Sequence, residues 1–66
     1  MHITLNGAAR EVPLDTTVIE LLQTLGYAGK RVAVERNGEI VPKSQHEATV
    51  LKDGDQVEIV AAVGGG

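Results

Sequence analysis

One stretch of this chain repeats its apolar residues with the period of a helix. Every other patterned stretch repeats them with the period of a strand. In "DTTVIELLQTLG" (15–26) the residues Val18, Leu21, Leu22 and Leu25 fall at i, i+3, i+4 and i+7, which lines one face of an α-helix. Thr17 and Glu20 have capping-box spacing, with Asp15 and Thr16 as competing caps, and Gly26 is the expected C-terminal stop. Elsewhere the alternation is by two. "HITLN" (2–6) sets Ile3 and Leu5 against His2, Thr4 and Asn6. "REVPL" (10–14) predicts a second strand with Val12 and Leu14 inward. "RVAVER" (31–36) turns Val32 and Val34 inward, a short strand follows at 39–41, and "QVEIVAAV" (56–63) places Val57, Ile59 and Ala61 on one face.

The punctuation between these stretches is equally specific. Asn6-Gly7 and Asn37-Gly38 are hairpin signals, because both residue types accept positive φ. Pro42 has no N–H for a ladder and ends the fourth strand. "DGD" (53–55) is a turn, and residues 43–52 are polar and irregular with Val50 and Leu51 as anchors. The order is therefore strand, strand, helix, strand, strand, strand. Two hairpins flank one helix that crosses a single sheet, and the last strand, with the longest apolar run, belongs at the centre beside the first. This predicts an α+β fold of the β-grasp (ubiquitin-like) type: one mixed sheet of four to five strands with one main helix packed on it. A ferredoxin-like arrangement needs a second helix, and residues 43–52 carry no clean apolar stripe for one. The predicted core is Ile3, Leu5, Val18, Leu21, Leu22, Val32, Val34, Val57 and Ile59. The expected organisation is a domain over residues 1–63 and a flexible glycine tail over 64–66.

Sixty-six residues without a cysteine leave no disulfide or thiolate zinc site to staple the fold. A domain of this size buries only about 60% of its unfolded surface, and with Tyr27 the sole aromatic residue aliphatic side chains must fill its core. A net charge of −3 argues against nucleic acid, which calls for a basic surface. No apolar run reaches the length of a membrane span. "MHITLNGAAR" lacks a basic region followed by an apolar stretch, so no secretion signal is read and a cytoplasmic protein is expected.

Few residues suggest chemistry. Ser44, the threonines, His2 and His46 could in principle supply a nucleophile and base, but no third group orients them, so both histidines are read as surface residues and no catalytic residue is assigned. Two histidines without a cysteine make a poor metal site, and none is expected. Asp53, Asp55 and Glu58 read as an acidic patch around a solvated turn. Val60 and Ala62 lie opposite Val57 and Ile59, on the sheet face the helix does not cover, and with Val63 suggest a docking surface. The chain closes on Gly64, Gly65 and Gly66. Three glycines after a firm strand make a thin tail that can enter a narrow active site in another protein. The functional group at its tip is the α-carboxylate, a poor electrophile until it is activated, for instance as an acyl-adenylate.

Almost end to end, the chain resembles the family of sulfur carrier proteins of thiamine biosynthesis: "LNG" after the first strand, "TTVIELLQTLG" in the helix, "VAVERNGEIVP" through the second hairpin and "LKDGDQVEIVAAVGGG" at the close. His46 departs from the pattern, since the family often carries a tryptophan there. The resemblance implies a carrier, not an enzyme. An E1-like, zinc-containing partner adenylates Gly66 with ATP, and the chain itself keeps no resident cofactor. Sulfur from a donor such as a cysteine desulfurase then displaces AMP to leave a thiocarboxylate, which thiazole synthase consumes. Related carriers for molybdopterin, cysteine or tRNA thiolation, a ubiquitin-like modifier and a passive interaction domain are the alternatives.

Overall fold

Two Asn-Gly pairs decide where the sheet folds back on itself. Asn6 and Gly7 take φ values of 49° and 83°, and Asn37 and Gly38 take 53° and 85°. Consecutive positive φ values are what a two-residue hairpin turn with the twist of its strands requires. The computed structural model describes residues 1–61. Within them the first turn joins β1 (His2–Leu5) to β2 (Ala8–Glu11), and the second joins β3 (Val32–Arg36) to β4 (Glu39–Ile40). Helix α1 (Val18–Thr24) lies between the hairpins, and a 3-10 turn (Lys43–Gln45) leads towards β5 (Gln56–Ala61). The sheet order is β2-β1-β5-β3-β4. Strand β5 runs parallel to β1, with Leu5 opposite Val57, and antiparallel to β3, with Val34 opposite Ile59. This is the β-grasp arrangement, with the last strand at the centre as the pattern predicts.

Both ends of α1 are closed by side chains and turns that the sequence signals. Thr17 is the N-cap: its hydroxyl accepts the Glu20 N–H at 3.2 Å, and the Glu20 carboxylate accepts the Thr17 N–H at 2.9 Å. That exchange satisfies orphan donors at both positions and holds the Glu20 carboxyl below the usual range, first through the Thr17 backbone bond and then through its hydroxyl. Thr16, a competing cap, instead donates its hydroxyl to the Pro13 carbonyl at 2.7 Å. At the other end Gly26 takes φ 82°. The Tyr27 N–H reaches the Leu22 carbonyl and the Gly26 N–H reaches that of Gln23, which is a Schellman closure.

The buried core comprises Ile3, Val12, Val18, Leu21, Leu22, Val34, Val41, Leu51, Val57 and Ile59. Leu5 and Val32, expected inside, are only partly buried against it. The second strand differs most from expectation. It starts at Ala8 rather than Arg10, because a two-residue turn leaves Leu5 opposite Ala8. Val12 is buried and exchanges hydrogen bonds with Met1, but Leu14 is 76% exposed. Pro13 ends the ladder and Asp15, at φ 63°, turns the chain, so Leu14 falls in that turn instead of facing inward. Of the two expected anchors in 43–52, Leu51 is buried while Val50 is exposed and makes only a bridge to Thr17. Among the described residues no helix is long and apolar enough to cross a membrane. The expected boundary between domain and tail lies outside the described residues.

Candidate functional site

Strand β5 is the root of the C-terminal segment, and two side chains from the hairpin turns grip it while a third, on the residue before it, anchors its start. Strand β1 pairs with β5 through the Thr4 N–H on the Asp55 carbonyl and the Asn6 N–H on the Val57 carbonyl, both at 2.9 Å. The backbone then turns away at Asn6. The Asn6 carboxamide continues the pairing in its place: Oδ1 accepts the Ile59 N–H at 2.8 Å and Nδ2 donates to the Ile59 carbonyl at 3.3 Å. On the other side Asn37 does similar work. Its backbone N–H donates to the Gln56 carbonyl at 2.7 Å and its Oδ1 accepts the Gln56 N–H at 2.9 Å. Each asparagine, read from the sequence as a turn residue, also substitutes for the strand that its own turn removes.

Asp55 is the third of these side chains, and it anchors the chain just before β5. It is buried, not part of an exposed acidic patch. Its carboxylate accepts Arg36 Nε at 2.7 Å, the Lys52 N–H at 2.8 Å and Asn37 Nδ2 at 3.0 Å. Burial pushes this carboxyl up, but the Arg36 hydrogen bond, the Lys52 and Asn37 donors and the Arg36 charge together outweigh it and hold the carboxyl below its ordinary 3.8. Asp53 is exposed and caps the turn by accepting the His2 N–H at 2.8 Å, and Glu58 is exposed. The "DGD" pattern marks a turn but does not tell which aspartate lies inside it.

Alternation along β5 then sorts its far end. Val57 and Ile59 are buried, while Val60 is 62% exposed on the opposite face. Its cross-strand partner there is Ala33, and Glu35 faces Glu58 next along. Ile40, opposite Glu35, is a second large apolar residue on that face at 62% exposure. Val60 is therefore where the alternation placed it. Ala62, Val63, Gly64, Gly65 and Gly66 lie outside the described residues. His2 is exposed as expected. His46 is not: it is buried, with Nε2 at 3.0 Å from the Val41 carbonyl. A carbonyl only accepts, so Nε2 is the donor. Its own backbone carbonyl takes the Ile19 N–H, which ties the 3-10 turn to α1. An isolated histidine in a polar stretch carries no sequence signal for that role.

The sequence pattern of the ThiS family matches residues 3–66. The chain belongs to the ThiS family. The sulfur carrier protein ThiS of Bacillus subtilis is 42% identical over 65 residues, covering 97% of this chain and 98% of that protein. The crystal structure of the thiamine biosynthesis protein ThiS from Geobacter metallireducens superposes with a TM-score of 0.86 at 40% identity, over 100% of both chains. The thiazole synthase of Paramagnetospirillum magneticum is 48% identical over 66 residues, all of this chain. The chain spans 20% of the length of that protein and of a second thiazole synthase, from Magnetococcus marinus. The ThiS resemblance of the sequence and the β-grasp fold it implied are thus both met.

Proposed function

We propose that this ThiS-family chain is a sulfur carrier, acted on by other enzymes, whose Gly66 delivers sulfur for the thiazole ring of thiamine. The observation that carries the reading is the match through residue 66 to the family and, over nearly its whole length, to a protein named as a sulfur carrier. The similarity to a part of two thiazole synthases supports thiazole synthase as the enzyme that takes the sulfur.

The chemistry follows from the glycine carboxylate. It is ionised at neutral pH, with an ordinary pKa of about 3.3–3.7, and resists nucleophiles. An E1-like partner lets a carboxylate oxygen attack the α-phosphorus of ATP, expelling pyrophosphate and leaving an acyl-adenylate. The terminal sulfur of a persulfide, supplied from cysteine by a desulfurase, attacks the acyl carbon and expels AMP. A thiol then reduces the resulting acyl disulfide and releases the thiocarboxylate. Gly64, Gly65 and Gly66 present no Cβ to a narrow channel, and exposed Val60, with Ala62 and Val63, forms the docking surface. The grips on β5 support this reading by fixing the strand from which the tail departs.

Intact-mass spectrometry tests it, after incubation with the adenylating enzyme, ATP and a sulfur donor. The chain should exchange one oxygen for one sulfur, localised to Gly66. One appended residue shifts the carboxylate by about 3.3–3.6 Å, and misplacement by about 1 Å can cost a hundredfold in rate, so the extended chain should fail to convert. Val60→Asp should slow conversion without changing Tm. Equal conversion of the native and extended chains would overturn the proposal.

A further inference from the structure

Helix α1 is tied to the residue that ends the 3-10 turn by the Ile19 N–H on the His46 carbonyl, but the segment after α1 and the start of β3 do not close over that contact. Between them lies a cleft of about 570 Å³, within the range of about 300–1,000 Å³ that binding pockets occupy. Its apolar lining comes from Ile19, Leu22, Tyr27 and Val32. Lys30, Arg31 and Lys43 also line it, against one carboxylate, Glu47. Half of the chain's 6 lysines and arginines thus gather at one cleft in a molecule of net charge −3. Arg36, by contrast, is committed to Asp55. An acidic group in the cleft would therefore gain from charge complementarity.

The strand edge beside it favours a polypeptide over a small anion. Strand β4 pairs only with Glu35 and Arg36 of β3, and the Val41 N–H then reaches the Val34 carbonyl before Pro42 turns the chain away. Backbone groups two residues apart in a strand face the same edge. Val32 therefore presents its N–H and carbonyl on the side where β4 has ended, and no strand stands beside it there among the described residues. An extended segment can add to such an edge through main-chain hydrogen bonds while its side chains find pockets.

We propose that this cleft receives an extended acidic segment of a partner protein. Its backbone adds as a short strand against Val32, one apolar side chain rests on Leu22 and Tyr27, and flanking carboxylates meet Lys30, Arg31 and Lys43. Val32 pairs with Ala61, so the cleft opens at the end of the sheet from which the chain runs on towards Gly66, and a partner that takes the tail faces it. This last argument rests on the carrier reading, whereas the charge and edge arguments do not.

The test is an NMR titration of the full-length, ¹⁵N-labelled chain with the capped peptide Asp-Asp-Val-Leu-Asp-Asp. Saturable shifts should centre on residues 27–33 and 43–47, and exchange of the Val32 amide should slow. Joint Lys30→Glu and Lys43→Glu substitution should weaken binding about tenfold with Tm preserved, and a peptide with lysines for aspartates should leave the cleft signals in place. The proposal is overturned by an absence of saturable shifts, by equal binding of the lysine peptide, by shifts centred on Val60, or by unchanged Val32 exchange. Saturable shifts from pyrophosphate with a silent peptide would also overturn it, by marking a small-anion site. None of these outcomes alters sulfur incorporation at Gly66, so the two proposals fail separately.

Discussion

The Asn6-Gly7 and Asn37-Gly38 turns are alike as backbone and unlike as anchors. Their φ values agree within a few degrees, and each asparagine turns its side chain onto β5. They take hold of it at different places and in different company. Asn6 holds both backbone groups of Ile59, one residue before exposed Val60. Asn37 holds Gln56 at the start of the strand and gives its remaining donor to a buried carboxylate. A dipeptide that specifies a turn therefore leaves open what the turn is tied to. One tie steadies the strand near its exit and the other completes a charged cluster at its entry.

The largest effect should come from breaking the charged side of this comparison. Asp55→Ala removes the acceptor for Arg36, Asn37 and the Lys52 N–H together. Hydrogen bonds to charged groups contribute about 1.5–3 kcal/mol, and the bonds around one carboxylate do not add. A loss of about 2–3 kcal/mol is expected, which in a domain this small lowers Tm by about 10–20 °C. Asp53→Ala at the exposed corner of the same turn loses one bond, to the His2 N–H, and should cost less than about 1 kcal/mol. Denaturant unfolding of the pair checks the order, and equal losses would show that Asp55 is not the inner member.

The two asparagines themselves come next. Glycine keeps the positive φ, so Asn6→Gly and Asn37→Gly remove the grips without straining the turns, and the extra freedom each gives the unfolded chain cancels between them. Asn6→Gly leaves the partly buried Ile59 N–H without its acceptor and should cost about 1–2 kcal/mol, with faster amide exchange at Ile59. At neutral pH Asn37→Gly should cost about 1–2 kcal/mol: the Gln56 N–H is exposed and water can replace its partner, but the Asp55 carboxylate also loses one of its donors. Acid sharpens the contrast. The folded Asp55 carboxyl titrates below its ordinary 3.8. Its contribution is therefore complete above that value and is lost as pH falls through the lower folded one. Asn37 is one cause of the depression. Asn37→Gly should raise the folded value, and its deficit against the native chain should shrink as pH drops below 3.8. The Asn6→Gly deficit should stay constant over the same range.

What the sequence made legible were features carried by period and by local chemistry. The helix stripe, both turns, the capping box at Thr17 and the central last strand are each specified by neighbours within a few residues. Leu14 was misplaced because Pro13 and Asp15 override an alternation that runs past them. Val50 was misplaced because one of two adjacent apolar residues must face out, and only the bridge to Thr17 decides which. Asp55 and His46 were missed for a different reason. Burial of a polar side chain depends on partners such as Arg36, 19 positions away in sequence, and no local pattern encodes that. At the candidate site, Val60 followed from alternation alone, whereas the carboxamides that hold its strand depended on contacts as distant as Asn6 with Ile59.

The smallest expected effect is a difference near zero, and it isolates the half of the comparison in which the turns are alike. Gly7 and Gly38 have φ of 83° and 85°, and a Cβ added at either would meet no heavy atom within 4 Å. Neither alanine would clash, so the cost of each substitution is the conformational one of holding an L-residue in the left-handed region, roughly 1–2 kcal/mol. The side-chain anchors of the neighbouring asparagines stay in place in both variants. Gly7→Ala and Gly38→Ala should therefore destabilise the chain equally, within about 0.5 kcal/mol, when both are measured by urea unfolding with unchanged m-values. A clearly larger cost at Gly38 would mean that distorting its turn also shifts Asn37 and loosens the Asp55 cluster. The acid dependence of that variant would then move as it does in Asn37→Gly. A larger cost at Gly7 with faster Ile59 exchange would place the same coupling at the other anchor. In either case backbone and anchor would prove to be one unit, and the separation drawn between them would fail.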